Sequence, residues 1–188
     1  MSVATFGTRA LAACASGLFF CLAALGGASA QDVVPAPVDG AALLAARAIA
    51  MPIEGVQGPA LQDTFTDRRT GGSHEALDIP APRGTPVHAV DDGKLVKLFT
   101  SVPGGLTVYQ FDPTGRLAYY YAHLDRYADN LHEGMTLRRG DVVGYVGTTG
   151  NAPSNVPHLH FAVFLLDADK RWWKGTAINP YPALRQLR

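Results

Sequence analysis

GKLVKLF at 93–99, GLTVYQF at 105–111 and RLAYYYA at 116–122, joined by SVPG at 101–104 and DPTG at 112–115, decide the fold class. Each apolar and aromatic segment is seven residues long, short for a helix, and each is closed by a Pro/Gly turn, which is the pattern of antiparallel hairpins. The same character runs from Met51 onward, as short stretches rich in Val, Leu, Thr, Tyr and Phe punctuated by Gly and Pro. Further strands are predicted near 142–146 and 159–165, and Gly134, Gly140, Gly144, Gly147 and Gly150 mark turns between them. A short helix is predicted over 124–131, and the tail with Trp172 and Trp173 is expected to pack across the scaffold. The sum is an all-β domain, a compact antiparallel scaffold with one or two short helices.

The chain has 188 residues, with 16 Lys and Arg balanced by 16 Asp and Glu. A net charge of zero argues against a nucleic-acid groove or a polybasic membrane surface, both of which need a positive excess to hold phosphates. Residues 1–30 stand apart. Arg9 precedes a mostly apolar run over 10–25, small residues follow through Ala28 and Ala30, and no acidic residue occurs before Asp32. That is the layout of a secretory signal peptide, with a run short of the roughly 20 residues a bilayer core needs. An uncleaved anchor and a lipoprotein site at Cys14 are the competing expectations. Cleavage after Ala30 would remove Cys14 and Cys21, the only cysteines, leaving no thiol nucleophile, disulfide or thiolate ligand. The mature chain would be exported, with no membrane contact after cleavage. Residues 31–50 are rich in Pro and Ala with a helix-prone piece at 41–50, and are expected to be a linker or docking arm before a domain at 51–188.

Chemistry concentrates in the histidines. In His158-Leu159-His160 the period of two places both imidazoles on one strand face while Leu159, Phe161 and Val163 point into a core. His74 and Asp78 are four residues apart and can converge on one ion, and Pro80 and Pro82 argue against a helix there. The segment therefore differs from the helical H-E-x-x-H metallopeptidase motif, and Glu75 reads as a solvated carboxylate. His123 ends the 116–122 segment, where rigid strands hand side chains to a site. Each of these histidines, taken alone, has an ordinary structural alternative.

Other chemistries lack their motifs. There is no G-x-S-x-G elbow, no G-x-x-x-x-G-K-[ST] loop and no strand-placed G-x-G-x-x-G. The glycine-spaced stretch 133–150 resembles the hairpins of biotinyl and lipoyl carrier domains, but it contains no lysine for attachment.

Taken in order, H-x-x-x-D at His74 and Asp78, Y-A-H-L around His123 and P-H-L-H-F at 157–161 resemble the lysostaphin/LytM-type family of zinc metallopeptidases. The resemblance extends over about 51–184, through the glycine-rich run 140–151 and I-N-P-Y-P at 178–182. It implies a LytM-like barrel-sandwich scaffold of the duplicated hybrid-motif type, and hydrolysis of peptide bonds in bacterial peptidoglycan. It also implies Zn²⁺ held by His74, Asp78 and His160, with His123 and His158 as the catalytic pair. Two imidazoles and one carboxylate would leave a tetrahedral corner open for water, as catalytic zinc sites do. Ala76 stands where the family commonly has glycine, and Ala162 where many members have glutamate, which bears on groove shape and substrate choice. His88 and His132 match no motif and are expected to be ordinary surface residues. The alternative to an enzyme is a non-catalytic LytM-like scaffold that binds peptidoglycan or activates another cell-wall hydrolase.

Overall fold

The computed structural model describes residues 38–188; the expected signal peptide and the first part of the arm lie outside them. Helix α1 (Gly40–Arg47) comes first, with the Asp39 carboxylate accepting from the amides of Ala41 and Ala42 at its start. Strands β1 (Arg68–Arg69) and β2 (Gly72–Ser73) form a small separate hairpin. Nine more strands make one sheet: β3 (Leu77–Pro80), β4 (Pro86–His88), β5 (Gly93–Ser101), β6 (Gly105–Phe111), β7 (Leu117–Tyr127), β8 (Thr136–Leu137), β9 (Val142–Val146), β10 (His158–Leu166) and β11 (Gly175–Ile178). A short helix, α2 (Tyr181–Leu184), follows. Every strand pairing is antiparallel, and the hairpins β5–β6 and β6–β7 are those expected from the turn residues.

Two long strands organise the sheet. β10 pairs with β7 along one edge, and along the other first with β3 and then with β11. β7 pairs with β6 on one edge, and on the other with β10 and then with β9. Changing partners partway along a strand bends the sheet around one apolar core. Leu159, Phe161 and Val163 of β10 face that core with Leu77 and Ile79 of β3 and Tyr119 and Tyr121 of β7, all with no accessible surface.

Two expectations are corrected. No helix forms over 124–131: Leu124 to Tyr127 continue β7 and pair with β9, and Asn130 adopts a left-handed φ of 60° in the turn that follows. Leu124 is fully buried in this arrangement, so tertiary pairing overrides whatever helix propensity the run has. Trp172 and Trp173 do not cross the core. They lie on the outer face of the sheet, where Trp172 meets Phe99 and Tyr109.

From residue 40 the expected arm is docked. Leu44 and Ile49 are buried in the core, and the Ala50 amide donates to the Val90 carbonyl at 2.7 Å. Gly40 approaches Ile178 so closely that a Cβ there would collide with its side chain. A polar knot fixes the helix end. The Asp91 carboxylate, 1% exposed, accepts from Arg47 Nε at 2.7 Å, Arg47 Nη2 at 3.0 Å and the Tyr119 hydroxyl at 3.0 Å. Gln110 joins the knot, donating to the Asp91 carbonyl at 2.6 Å and accepting from the Tyr121 hydroxyl at 2.8 Å.

Burial of Asp91 opposes its ionisation, but the hydrogen bonds from Arg47, Tyr119 and Arg139 prevail and hold its carboxyl below the usual range. Asp112 is held low in the same way, against burial, by the amides of Leu117, Arg116 and Thr114 and the Thr114 hydroxyl. Groups depressed in the folded state contribute stability that is complete above the unfolded carboxylate pKa of about 4 and is lost as pH falls through the folded values. Urea unfolding should therefore show stability falling on acidification below about pH 4. Asp91→Ala, which strands Arg47 and Tyr119, should cost about 3 kcal/mol at neutral pH. An unchanged urea midpoint for that variant would contradict the role given to the knot.

Candidate metal centre

The antiparallel register of β3 on β10 sets Asp78 directly opposite His160. On the other edge of β10, His160 faces Ala122, whose small side chain leaves the imidazole room. His74 reaches the same point from the turn before β3, where Glu75 takes a left-handed φ of 58° and projects into solvent. His74 Nε2, His160 Nδ1 and Asp78 Oδ1 then form a nearly equilateral triangle, with sides of 3.1, 3.2 and 3.0 Å. The three side chains form a group able to hold a metal ion, and among the described residues it is the one such group.

The protons available cannot satisfy this triangle. His74 Nδ1 lies 2.9 Å from the Thr64 carbonyl, which can only accept, so the ring carries its proton there and turns a bare Nε2 inward. Burial keeps His160 neutral by pushing its pKa down, although Asp78 opposes that shift. Asp78 is ionised: burial opposes this, but the hydrogen bond from His160 Nδ1 holds its carboxyl below the usual range. With neutral rings at most one proton lies among three short contacts, and the 3.0 Å contact of His74 with Asp78 sets lone pair against lone pair. A cation at the centre relieves that crowding. Tetrahedral coordination with bonds of roughly 2.0–2.1 Å needs ligand atoms about 3.3 Å apart, close to the observed sides. The donor set therefore fits a divalent transition metal, and the bond from His74 to Thr64 is the outer support such ligands usually have.

His123 and His158 flank the triangle. The His123 ring lies 5.0 Å from that of His158 and 5.4 Å from that of His160, centroid to centroid. Each carries its Nδ1 proton on a backbone carbonyl at 2.8 Å, Thr149 for His123 and Val156 for His158. Both therefore keep Nε2 clear of that bond, and that of His158 is 3.6 Å from Asp78 Oδ1. Burial pushes the His123 pKa down to about 4. His123 sits at a left-handed kink of β7, φ 61°, with its amide on the Gly104 carbonyl at 2.8 Å. Without the kink the side chain would follow the strand alternation of its neighbours.

All five residues singled out in the sequence thus meet in one open groove, whose walls include residues 68–73, Pro103, Gly104, Tyr120 and 151–153. Sequence reasoning missed several supporting groups. Arg69 donates to Asp78 Oδ2 at 2.8 Å, leaving Oδ1 for the centre. The Thr64 hydroxyl accepts from the Asp78 amide at 3.1 Å and donates to the Ala76 carbonyl at 3.2 Å. Thr64, Thr149 and Val156 act on the histidines through backbone carbonyls, which no residue type advertises. Of the other histidines, His132 is exposed as expected, whereas His88 is half-buried on β4 with Nδ1 bonded to the Gly140 carbonyl at 2.8 Å.

Residues 72–180 match the family model for Peptidase family M23. The chain belongs to this family. It is 33% identical over 116 residues to the glycyl-glycine endopeptidase ALE-1 of Staphylococcus capitis, a match covering 61% of this chain and 30% of that protein. To the L-Ala–D-Glu endopeptidase of Bacillus subtilis it is 30% identical over 132 residues, 66% of this chain and 39% of the relative. The M23 chain thus spans well under half the length of these relatives. Among solved structures, the catalytic domain of lysostaphin from Staphylococcus simulans superposes with a TM-score of 0.53 at 28% identity, covering 79% of this chain and 99% of the other. A putative glycyl-glycine endopeptidase LytM from Ruminococcus gnavus gives 0.59 at 30% identity, with 74% and 58% covered. The LytM and lysostaphin likeness of the fold, expected from the motifs, is thereby established.

Metal titration of the purified M23 chain, followed by elemental analysis after gel filtration, should show uptake of one equivalent of zinc. Asp78→Ala and His160→Ala should each lose it. Full occupancy in either variant would remove that side chain from the ligand set.

Proposed function

We propose that this M23 chain is an exported zinc endopeptidase that hydrolyses peptide bonds in bacterial peptidoglycan. The observation that carries the proposal is the triangle of His74, Asp78 and His160, crowded as lone pairs and open to a groove, with two further imidazoles aimed at it. Relatives named for cleaving glycyl-glycine and L-Ala–D-Glu bonds support the substrate class. The apolar run after Arg9 supports export.

His74, Asp78 and His160 would hold the ion, which as a Lewis acid would make water nucleophilic near neutral pH and polarise the scissile carbonyl. The chain's own groups handle the protons. His123 and His158 divide two tasks: one takes the proton of the attacking water at its bare Nε2 and returns it to the leaving amine, and the other, once protonated at Nε2, donates a hydrogen bond to the developing oxyanion. With its Nδ1 proton committed to the Thr149 carbonyl, His123 offers a bare Nε2, the state a base requires. The Val156 carbonyl does the same for His158. Arg69 keeps the second Asp78 oxygen occupied, so that the carboxylate offers a single oxygen. Glu75, exposed and turned outward, takes no part.

Incubation of the zinc-loaded chain with purified peptidoglycan should generate new amino termini, and chelation should stop this. His123→Ala should keep its zinc and lose about 10²-fold or more in turnover. Binding to peptidoglycan without new amino termini would instead identify a non-catalytic scaffold.

A further inference from the structure

Beyond the centre, the outer face of the sheet carries an unbroken run of aromatic rings that begins at the groove. Tyr120 of β7 stands edge-on to His160, with ring centroids 5.9 Å apart, and lies 4.6 Å from Tyr109 of β6. Tyr109 meets Trp172 at 4.9 Å. Trp172 in turn meets Phe99 of β5 at 5.3 Å and Trp173 at 5.2 Å. Phe164 of β10 borders Tyr120 at 6.4 Å. Ala162, buried opposite Tyr120 in the β7–β10 ladder, adds no bulk to this part of the sheet. The run grows more exposed away from the centre, reaching 39% at Phe99 and 61% at Trp173. Phe99 and Trp173 are its exposed rings and Tyr109, Tyr120, Phe164 and Trp172 are half-buried, and an aromatic cluster left partly open to water marks an interaction site more often than a single exposed ring does.

We propose that this run is a subsite for the glycan strand of peptidoglycan, holding N-acetylated pyranose rings by stacking their C–H faces on the aromatic faces. The proposal rests on the substrate class inferred above, because stem peptides hang from the glycan. A stem peptide with its scissile bond at the centre brings its sugar to one end of the groove, and Tyr120 joins the groove wall to the ring run. The chemistry of the surface agrees with that occupant. Its side chains are flat and aromatic rather than aliphatic, with π faces negative toward the weakly positive C–H bonds of a sugar. Polar groups lie beside them for hydroxyl and acetamido groups: the Tyr109 and Tyr120 hydroxyls, and Arg171, whose guanidinium sits 5.8 Å above the Trp173 ring.

Trp172 and Trp173 are the only tryptophans of the chain, so intrinsic tryptophan fluorescence reports this surface alone. The full chain, kept in chelator to suppress turnover, is titrated with the β-1,4-linked hexamer of N-acetylglucosamine and, separately, with a sugar-free stem peptide. A saturable change with the hexamer is expected, weakened about tenfold in Trp173→Ala. Phe99→Ala should weaken it in the same direction. Both variants, once zinc-loaded, should cleave a short soluble stem peptide at the wild-type rate while releasing less product from intact peptidoglycan. No response to the hexamer, a response to the stem peptide alone, or wild-type hexamer affinity in both variants would overturn the subsite. Hexamer binding without any hydrolysis would uphold the subsite and sink the peptidase reading. Hydrolysis without hexamer binding would do the reverse.

Discussion

Antiparallel pairing of β3 with β10 places Asp78 opposite His160, and this register constrains nearly everything else in the molecule. Side chains alternate along a strand, so a slip of one residue would turn Asp78 into the core and expose Leu77 and Ile79. The apolar face of β3 therefore holds Asp78 in place, and Phe161 and Leu159 do the same for the histidines of β10. Core burial, at about 1.5–3 kcal/mol per large side chain, supplies the free energy that keeps these three crowded polar atoms within 3.2 Å of one another. The geometry of the candidate centre follows largely from strand register: Asp78 and His160 lie on the rigid sheet, and His74 reaches them from the turn before β3.

The imidazoles are oriented by a second device. Three of the four histidines at the centre carry their Nδ1 proton on a backbone carbonyl, so their tautomers are set by main chain that cannot titrate. Those carbonyls come from loops, at Thr64, Thr149 and Val156, and the loops must be held as firmly as the strands. The Thr149 hydroxyl does this locally, donating to the Leu124 carbonyl at 2.8 Å and accepting from the Leu106 amide at 3.0 Å. Gly105, at φ 63°, lets its backbone lie against Thr149 where any Cβ would clash. The groove wall at Pro103 and Gly104, the adjoining Gly105 and the support for His123 are in this way one packed unit.

Much of this was legible in the sequence, and the reason is periodicity. The His158-Leu159-His160 pattern, with Leu159 and Phe161 between and beyond the imidazoles, has the period of a strand with one polar face and one core face. The hairpin turns at 101–104 and 112–115 likewise announce their neighbours. What escaped depends on contacts distant in sequence. Leu124 to Tyr127 looked helical because their strand partners, at 144–146, are about twenty residues away and the left-handed kink at His123 hides the continuity of β7. The docking of α1 was hidden because Arg47 finds Asp91 forty-four residues later, inside a knot of Tyr119, Tyr121 and Gln110 that composition alone presents as ordinary strand residues. Arg69 was invisible as a partner of Asp78 for a related reason: only the β1–β2 hairpin brings it over the carboxylate.

β7 brings these levels together in three consecutive tyrosines. Tyr119 and Tyr121 point inward, where burial of their rings is made tolerable because Asp91 and Gln110 receive their hydroxyls. Tyr120 points outward and links His160 to the exposed rings. The strand then reaches Ala122, small enough to spare the space of His160, and kinks at His123 to deliver a side chain that regular alternation would have aimed elsewhere. A polar knot in the core and a chemical centre at the rim are thus built from one strand, and the knot does more than stabilise. By anchoring Tyr119 and Tyr121 it fixes the facing of Tyr120, and so couples the packing of α1 through Arg47 and Asp91 to the wall of the groove.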